Sequence, residues 1–111
     1  MLRIHRPNAE TAIIRMDEEY GQQVFELVED LSLKGVRLVV LDYKDVNFCS
    51  SLDIAQVINS RHHLQRMNGR VELANLGTSV SSIYRILKLD RLFRLDWELD
   101  ALLRECGINS P

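Results

Sequence analysis

The run 36–41, VRLVVL, constrains this chain most. It is rich in β-branched residues and puts apolar side chains on both faces of a strand. Such a strand belongs at the centre of a sheet with helices packed against it. The next segment narrows the architecture further. A polar loop at 44–51 ends in two adjacent hydroxyls, Ser50 and Ser51, and leads into Ile54, Val57, Ile58, Leu64 and Met67 at helical spacing. Strand, loop and helix in this order begin a right-handed crossover. They also make a place to hold or receive a phosphate. First-turn N–H groups lack partners, and the helix dipole favours negative charge there.

The other elements follow from the same periodicities. Leu2 and Ile4 alternate with Arg3 and His5 up to Pro7-Asn8, as in an edge strand. TAIIRM at 11–16 is a second strand, close enough for an antiparallel hairpin. Tyr20, Val24, Leu27, Val28 and Leu31 lay one apolar stripe on a helix over 18–33, with Asp17 as N-cap and Gly35 as the stop. Gly69 is expected to end the second helix, and 71–76 is another strand. Val80, Ile83, Tyr84 and Leu87 mark a third helix, and Leu92, Phe93 and Leu95 a last short strand. Asp96 is expected to cap a final helix carrying Leu99, Leu102, Leu103 and Cys106, closed by Gly107 before a loose tail. The expected order is ββαβαβαβα. This is an α/β fold with a mixed, mainly parallel central sheet of about five strands and about four helices.

At 111 residues the chain reads as one domain, 1–111, and its 46% apolar content suffices for a core. A net charge of −2 argues against bulk affinity for nucleic acid. Cys49 and Cys106 form no metal-ligand spacing and read as reduced thiols. The N-terminus lacks the apolar core of a signal peptide, and no run reaches the ~18–20 residues of a membrane span. A cytoplasmic protein is therefore expected. The charge is uneven: 10–30 holds seven acids and one base, whereas 61–94 holds seven bases and two acids. Solvated helix faces explain most such runs. The functional alternative is a basic surface that docks an acidic partner.

Loops that leave the carboxyl ends of parallel strands share one edge, where ligands bind. One such loop is Asn47-Phe48-Cys49-Ser50-Ser51, with Asp42 and Asp45 close to it; the other is Gly77-Thr78-Ser79. Ser50 and Asp53 have the spacing of a capping box, in which each side chain satisfies the other residue's N–H. Ser51 is then the first helical residue, with a spare hydroxyl. That makes it a candidate phosphoacceptor, with Ser50 as the alternative. A phosphate there would add about −1.5 to −2 charges to the surface. His62 and His63 are helix neighbours and point about 100° apart, which suits no shared metal. No Gly-rich phosphate loop or base accompanies Asp42 and Asp45 as an Mg2+ pair, and Gly77-Thr78-Ser79 lacks the GxxxxGK[ST] pattern. No nucleophile elbow positions Ser, His and Asp. A nucleotide-binding or hydrolase reading thus has little support, and no cofactor or metal is expected.

The run LVVLDYKDVNFCSSLDI resembles the central signature of the STAS domain, the fold of bacterial anti-sigma factor antagonists. Leu41 and Asp42 match the strand end, and Val46 and Phe48 match the turn. Cys49 takes an apolar position, and Ser51 falls on the serine that the family phosphorylates. Ser50 stands where the family has Asp, Leu52 where it has a second Ser, and Asp53 where it has Gly. The stretch GRVELANLGTSVSSIYRILKLDRLFRLDWELDALL resembles the family's later strand, third helix, Leu-Asp-x-Leu-Phe strand and closing helix.

The resemblance implies a STAS (anti-sigma factor antagonist-like) fold and a binding module of the partner-switching class, not an enzyme. The unphosphorylated chain would dock an anti-sigma factor, a serine kinase of the histidine-kinase-like ATPase type, and phosphate on Ser51 would break docking. The implied partner-binding residues are Asp42, Cys49, Ser50, Asp53, Ile54, Ala55, Gly77, Thr78 and Ser79, with Asp42 supporting the loop. The alternative is a non-phosphorylated STAS scaffold, or an accessory subunit of a regulatory or ABC-transport complex. Neither implies direct contact with nucleic acid or insertion into a membrane. A homodimer is left open.

Overall fold

The central strand is where the apolar run places it. In the computed structural model, which describes residues 2–19 and 21–108, β3 (Leu38–Asp42) lies between β2 (Thr11–Arg15) and β4 (Arg70–Ala74) and is parallel to both. β1 (Arg3–Asn8) pairs antiparallel with β2, so the sheet order is β1-β2-β3-β4. β1 carries Pro7 and a register shift between His5 and Asn8, both tolerated because nothing pairs with its outer side among the described residues.

Alternation along the strands divides the core in two. Ala12, Ile14, Val39, Leu41, Val71 and Leu73 face the larger cluster. That cluster is shared with α1 (Val24–Leu33), α2 (Ser51–Arg66) and α3 (Thr78–Ile86). Ile13, Val40 and Ala74 point the other way and meet Leu102 and Leu103 of α4 (Leu99–Glu105). Both faces of the sheet are therefore covered, as a strand apolar on both sides requires.

Helix ends show where the local sequence rules hold. α1 stops in a Schellman turn: the Val36 N–H reaches Leu31 O at 3.1 Å and the Gly35 N–H reaches Ser32 O at 3.1 Å, with Gly35 at φ +95°. α2 ends in the same motif, but Asn68, at φ 61°, takes the left-handed position expected of Gly69. Gly69 has another role. A β-carbon there would sit 2.5 Å from Arg37 O, so the chain entering β4 needs a residue without a side chain.

Several expectations are corrected. The helix predicted from 18 starts as a 3-10 turn at Gly21–Gln23 and becomes α-helical only at Val24; Tyr20 lies outside the described residues. The N-cap position of α1 is Gln23 rather than Asp17, whose Oδ1 accepts the Glu19 N–H at 2.9 Å in a local turn. A first-turn N–H of α1 is satisfied from outside, where Gln56 Oε1 of α2 accepts from Phe25 N at 3.1 Å. The fifth strand is absent from the described residues. Its place is taken by a 3-10 turn at Leu89–Arg91, after which Phe93 and Leu95 point inward without joining the sheet. The burial alternation is thus that of a strand, but the backbone beside β4 makes a single bond, Asn75 N–H to Trp97 O at 2.8 Å. Asp96 pairs with Arg94 and is not the N-cap of α4; that helix starts after Glu98, and its Leu99 N–H is accepted by Asn75 Oδ1 at 3.1 Å. Of the predicted loose tail, 109–111 lie outside the described residues.

Candidate partner-docking and phosphoacceptor site

β3 and β4 are adjacent and parallel, so the loops that follow them leave the same edge of the sheet. The loop after β3 is held by Asp42, which is buried at the end of the strand. Asp42 Oδ1 accepts from the Lys44 N–H at 3.0 Å and from Asn75 Nδ2 at 2.9 Å, and Oδ2 accepts from Arg15 Nε at 3.1 Å. One carboxylate thus ties together β2, β3 and the loop after β4. Asn75 extends the tie to α4 through Leu99. It does so at φ 59°, a backbone position that asparagine tolerates better than most residues.

From there the chain turns through Val46, whose N–H meets Tyr43 O at 3.0 Å, and buries Val46 and Cys49. Beneath the loop, the hydroxyls of Tyr43 and Tyr84 are 3.0 Å apart and their rings meet edge-on. Tyr84 anchors α3 there. Burial pushes the ionisation of both tyrosines well above the ordinary phenol range, and burial followed by the charge of Asp53 pushes the Cys49 thiol up. These groups are neutral at physiological pH. A raised pKa in the folded state means that the native protein holds its protons longer than the unfolded chain. Stability is therefore complete below the unfolded phenol value of about 10 and falls as pH climbs past it. Thermal unfolding should accordingly show a midpoint that drops above about pH 10. Tyr43→Phe/Tyr84→Phe, which removes both partners of the hydroxyl pair, should flatten that drop with little change at neutral pH.

At the head of α2 the capping box is complete. Ser50 Oγ accepts from the Asp53 N–H at 3.2 Å, and Asp53 Oδ2 accepts from the Ser50 N–H at 2.9 Å. Ser50 is half-buried and spent on the cap. Ser51 is the first residue of the helix, is exposed, and takes no part in the cap. The box is backed by Gly21. A β-carbon there would come within 2.9 Å of Asp53 Oδ1, so the turn before α1 packs its backbone directly on the capping carboxylate.

The structure sorts the predicted contact residues into two tiers. Ser51, Ala55, Gly77, Thr78 and Ser79 are exposed along the edge. Asp42, expected to support the loop, is buried and holds it from below; Cys49 and Ile54 are buried too, so they lie beneath the exposed edge and not on it. Gly77 is the N-cap of α3, with Thr78 and Ser79 in its first turn rather than in a loop. His63 does not face His62's surroundings. It reaches Ser32 Oγ of α1 at 2.8 Å, and since that hydroxyl gives its proton to Glu29 O at 2.7 Å, His63 Nε2–H is the donor.

Two residues were missed. Phe48 is 62% exposed and Leu52 is 61% exposed, one on each side of the serine pair. Large apolar side chains this open beside a spare hydroxyl make this edge the candidate contact surface. Leu52 carried a legible signal, because it sits off the stripe set by Ile54, Val57 and Leu64. Asn75 and Gln56 carried none, since their partners lie on other elements.

A family model for the STAS domain matches residues 11–102. The chain belongs to the STAS family. Among solved structures, unphosphorylated SpoIIAA, an anti-sigma factor antagonist, superposes with a TM-score of 0.80 at 20% identity, covering 99% of this chain and 100% of that one. Phosphorylated SpoIIAA, a cell fate determinant of Bacillus, superposes with a TM-score of 0.76 at 16% identity, covering 96% and 99%. These likenesses establish the STAS fold. No curated protein matches the chain. Among the described residues, no helix is long and apolar enough to cross a membrane.

Proposed function

We propose that this STAS protein is a binding module that docks a partner through the exposed start of α2, under the control of phosphate on Ser51. The observation that carries the reading is the division of labour at the helix head. Ser50 makes the cap, Ser51 stands open beside it, and Phe48 and Leu52 flank it as apolar anchors. Without phosphate, the apolar pair is free to enter a pocket on the partner. With phosphate, about two negative charges would have to be desolvated between those anchors, next to Asp53. The partner would be an anti-sigma factor with a serine-kinase activity of the histidine-kinase-like ATPase type. It would supply the ATP and the catalytic groups, leaving this chain as substrate. The likeness in fold to an anti-sigma factor antagonist known in phosphorylated and unphosphorylated forms supports this.

A second reading keeps the docking surface and drops the switch. Asp53 stands where the family has glycine and is committed to the Ser50 N–H, which adds a permanent charge beside Ser51. A constitutive scaffold or transport-accessory subunit would tolerate that charge. Incubation with the cognate kinase and ATP, read by intact-mass spectrometry, separates the two. Switching requires one added phosphate on the wild type and none on Ser51→Ala. In capture from source-cell lysate, Ser51→Ala should retain the partner and Ser51→Asp should lose at least about tenfold, as expected for a charge placed in a desolvated contact. Unlabelled wild type with equal capture by both variants would leave the scaffold.

A further inference from the structure

Two faces of the molecule carry opposite charge and an exposed aliphatic outcrop each. α1 holds Glu26, Glu29 and Asp30, its last residue, Leu33, is 82% exposed, and one exposed base, Lys34, follows as the C-cap. Glu26, Asp30 and Leu33 are spaced so that they share one side of the helix. At the far end of α3, Ile86 is 78% and Leu87 50% exposed, among the exposed bases Arg85, Lys88 and Arg91 and one exposed acid, Asp90. α2 lies between these faces. Its His63 meets Ser32 and Phe25 of α1, whereas its Arg61 lies over the Phe93 ring, 5.8 Å from the centroid. Residues two apart on a helix point to opposite sides, so the acidic and basic faces flank α2 on opposite sides.

An apolar centre with a charged rim is how protein contact surfaces are built, and opposite rims select each other. The aliphatic side chains of both outcrops remain in water in the single chain. Burying them together removes that exposure, while the acids of one rim meet the bases of the other. We infer that the Ile86–Leu87 end of one molecule seats on the Glu26–Asp30–Leu33 face of a second copy. The two surfaces differ, so the contact is head-to-tail and leaves one face of each kind open on every pair; it therefore extends with concentration. It does not involve Ser51, and it stands whether or not the docking reading does.

Sedimentation velocity on the full chain tests this. At low salt the average mass should climb above the 12.9 kDa of one chain as concentration rises, and it should fall back at about 0.5 M salt, where surface charges are screened. Ile86→Ser/Lys88→Gln removes one face and Asp30→Asn/Leu33→Ser the other. All four positions are exposed, and circular dichroism confirms folding. Each variant alone should remain a single chain, and an equal mixture should form pairs and nothing larger, because each brings the face the other lacks. A wild type that stays single at about 1 mM overturns the inference. So does either variant associating by itself, which would mean a symmetric contact elsewhere. So would a single-chain wild type that co-sediments with phosphatidylglycerol vesicles through Ile86 and Lys88, which would give the basic face to a lipid surface.

Discussion

Asp42→Ala should lower the free energy of unfolding by about 3 kcal/mol, measured by urea denaturation at neutral pH. The carboxylate is buried and holds three donors from three parts of the chain: Arg15, the Lys44 N–H and the Asn75 amide. Alanine leaves all three without their acceptor. The Arg15 share is the smallest, because that side chain is one-third exposed and water can replace the lost partner. The larger share comes from the two neutral donors, and Asn75 also positions the cap of α4. Asp42→Asn should fall in between, since one oxygen survives for Lys44 and Asn75. Asp45 pairs with the same arginine at 2.9 Å but is about half exposed, so Asp45→Ala should cost under about 1 kcal/mol. Equal losses at Asp42 and Asp45 would show that the buried tie is not what holds the loop.

Gly69→Ala should cost about 2–3 kcal/mol by the same measurement. The new methyl would lie 2.5 Å from Arg37 O, and that carbonyl is itself fixed by the Arg70 N–H at 2.8 Å. Both sides of the clash are backbone, so neither can swing away, and the start of β4 must shift. Gly35→Ala is the informative contrast. Nothing lies near its β-carbon, but φ is +95°, so the expected loss is the conformational cost alone, about 1 kcal/mol. A Gly69 variant no worse than the Gly35 variant would mean that the strand entry yields easily.

These two positions also show how far the chain could be read unaided. The central strand, the hairpin, the helical stripes and the Ser50–Asp53 box were all legible, because each depends on residues within a few positions of one another. What failed depended on neighbours distant in sequence. α1 and α4 looked as if Asp17 and Asp96 should cap them, yet their leading N–H groups are met by Gln56 and Asn75 from other elements. Phe93 and Leu95 alternate as a strand does, but among the described residues no strand receives them. Gly69 looked like a helix stop, and its real constraint is a carbonyl more than thirty residues earlier. At the site, the identity of the exposed serine followed from the cap spacing. Leu52 was legible as off the apolar stripe of α2, whereas Phe48 needed the fold, since only its exposure distinguishes it from a core residue.

The exposed positions 48, 51 and 52 make no contribution to the capping box or to the Asp42 tie, both of which are built from side chains beneath or beside them. On the docking reading proposed above, recognition and support rest on different side chains, so the contact face can be altered at these three positions while the box and the tie keep their partners. One frame could be retuned to a new acquaintance with its supporting hydrogen bonds intact.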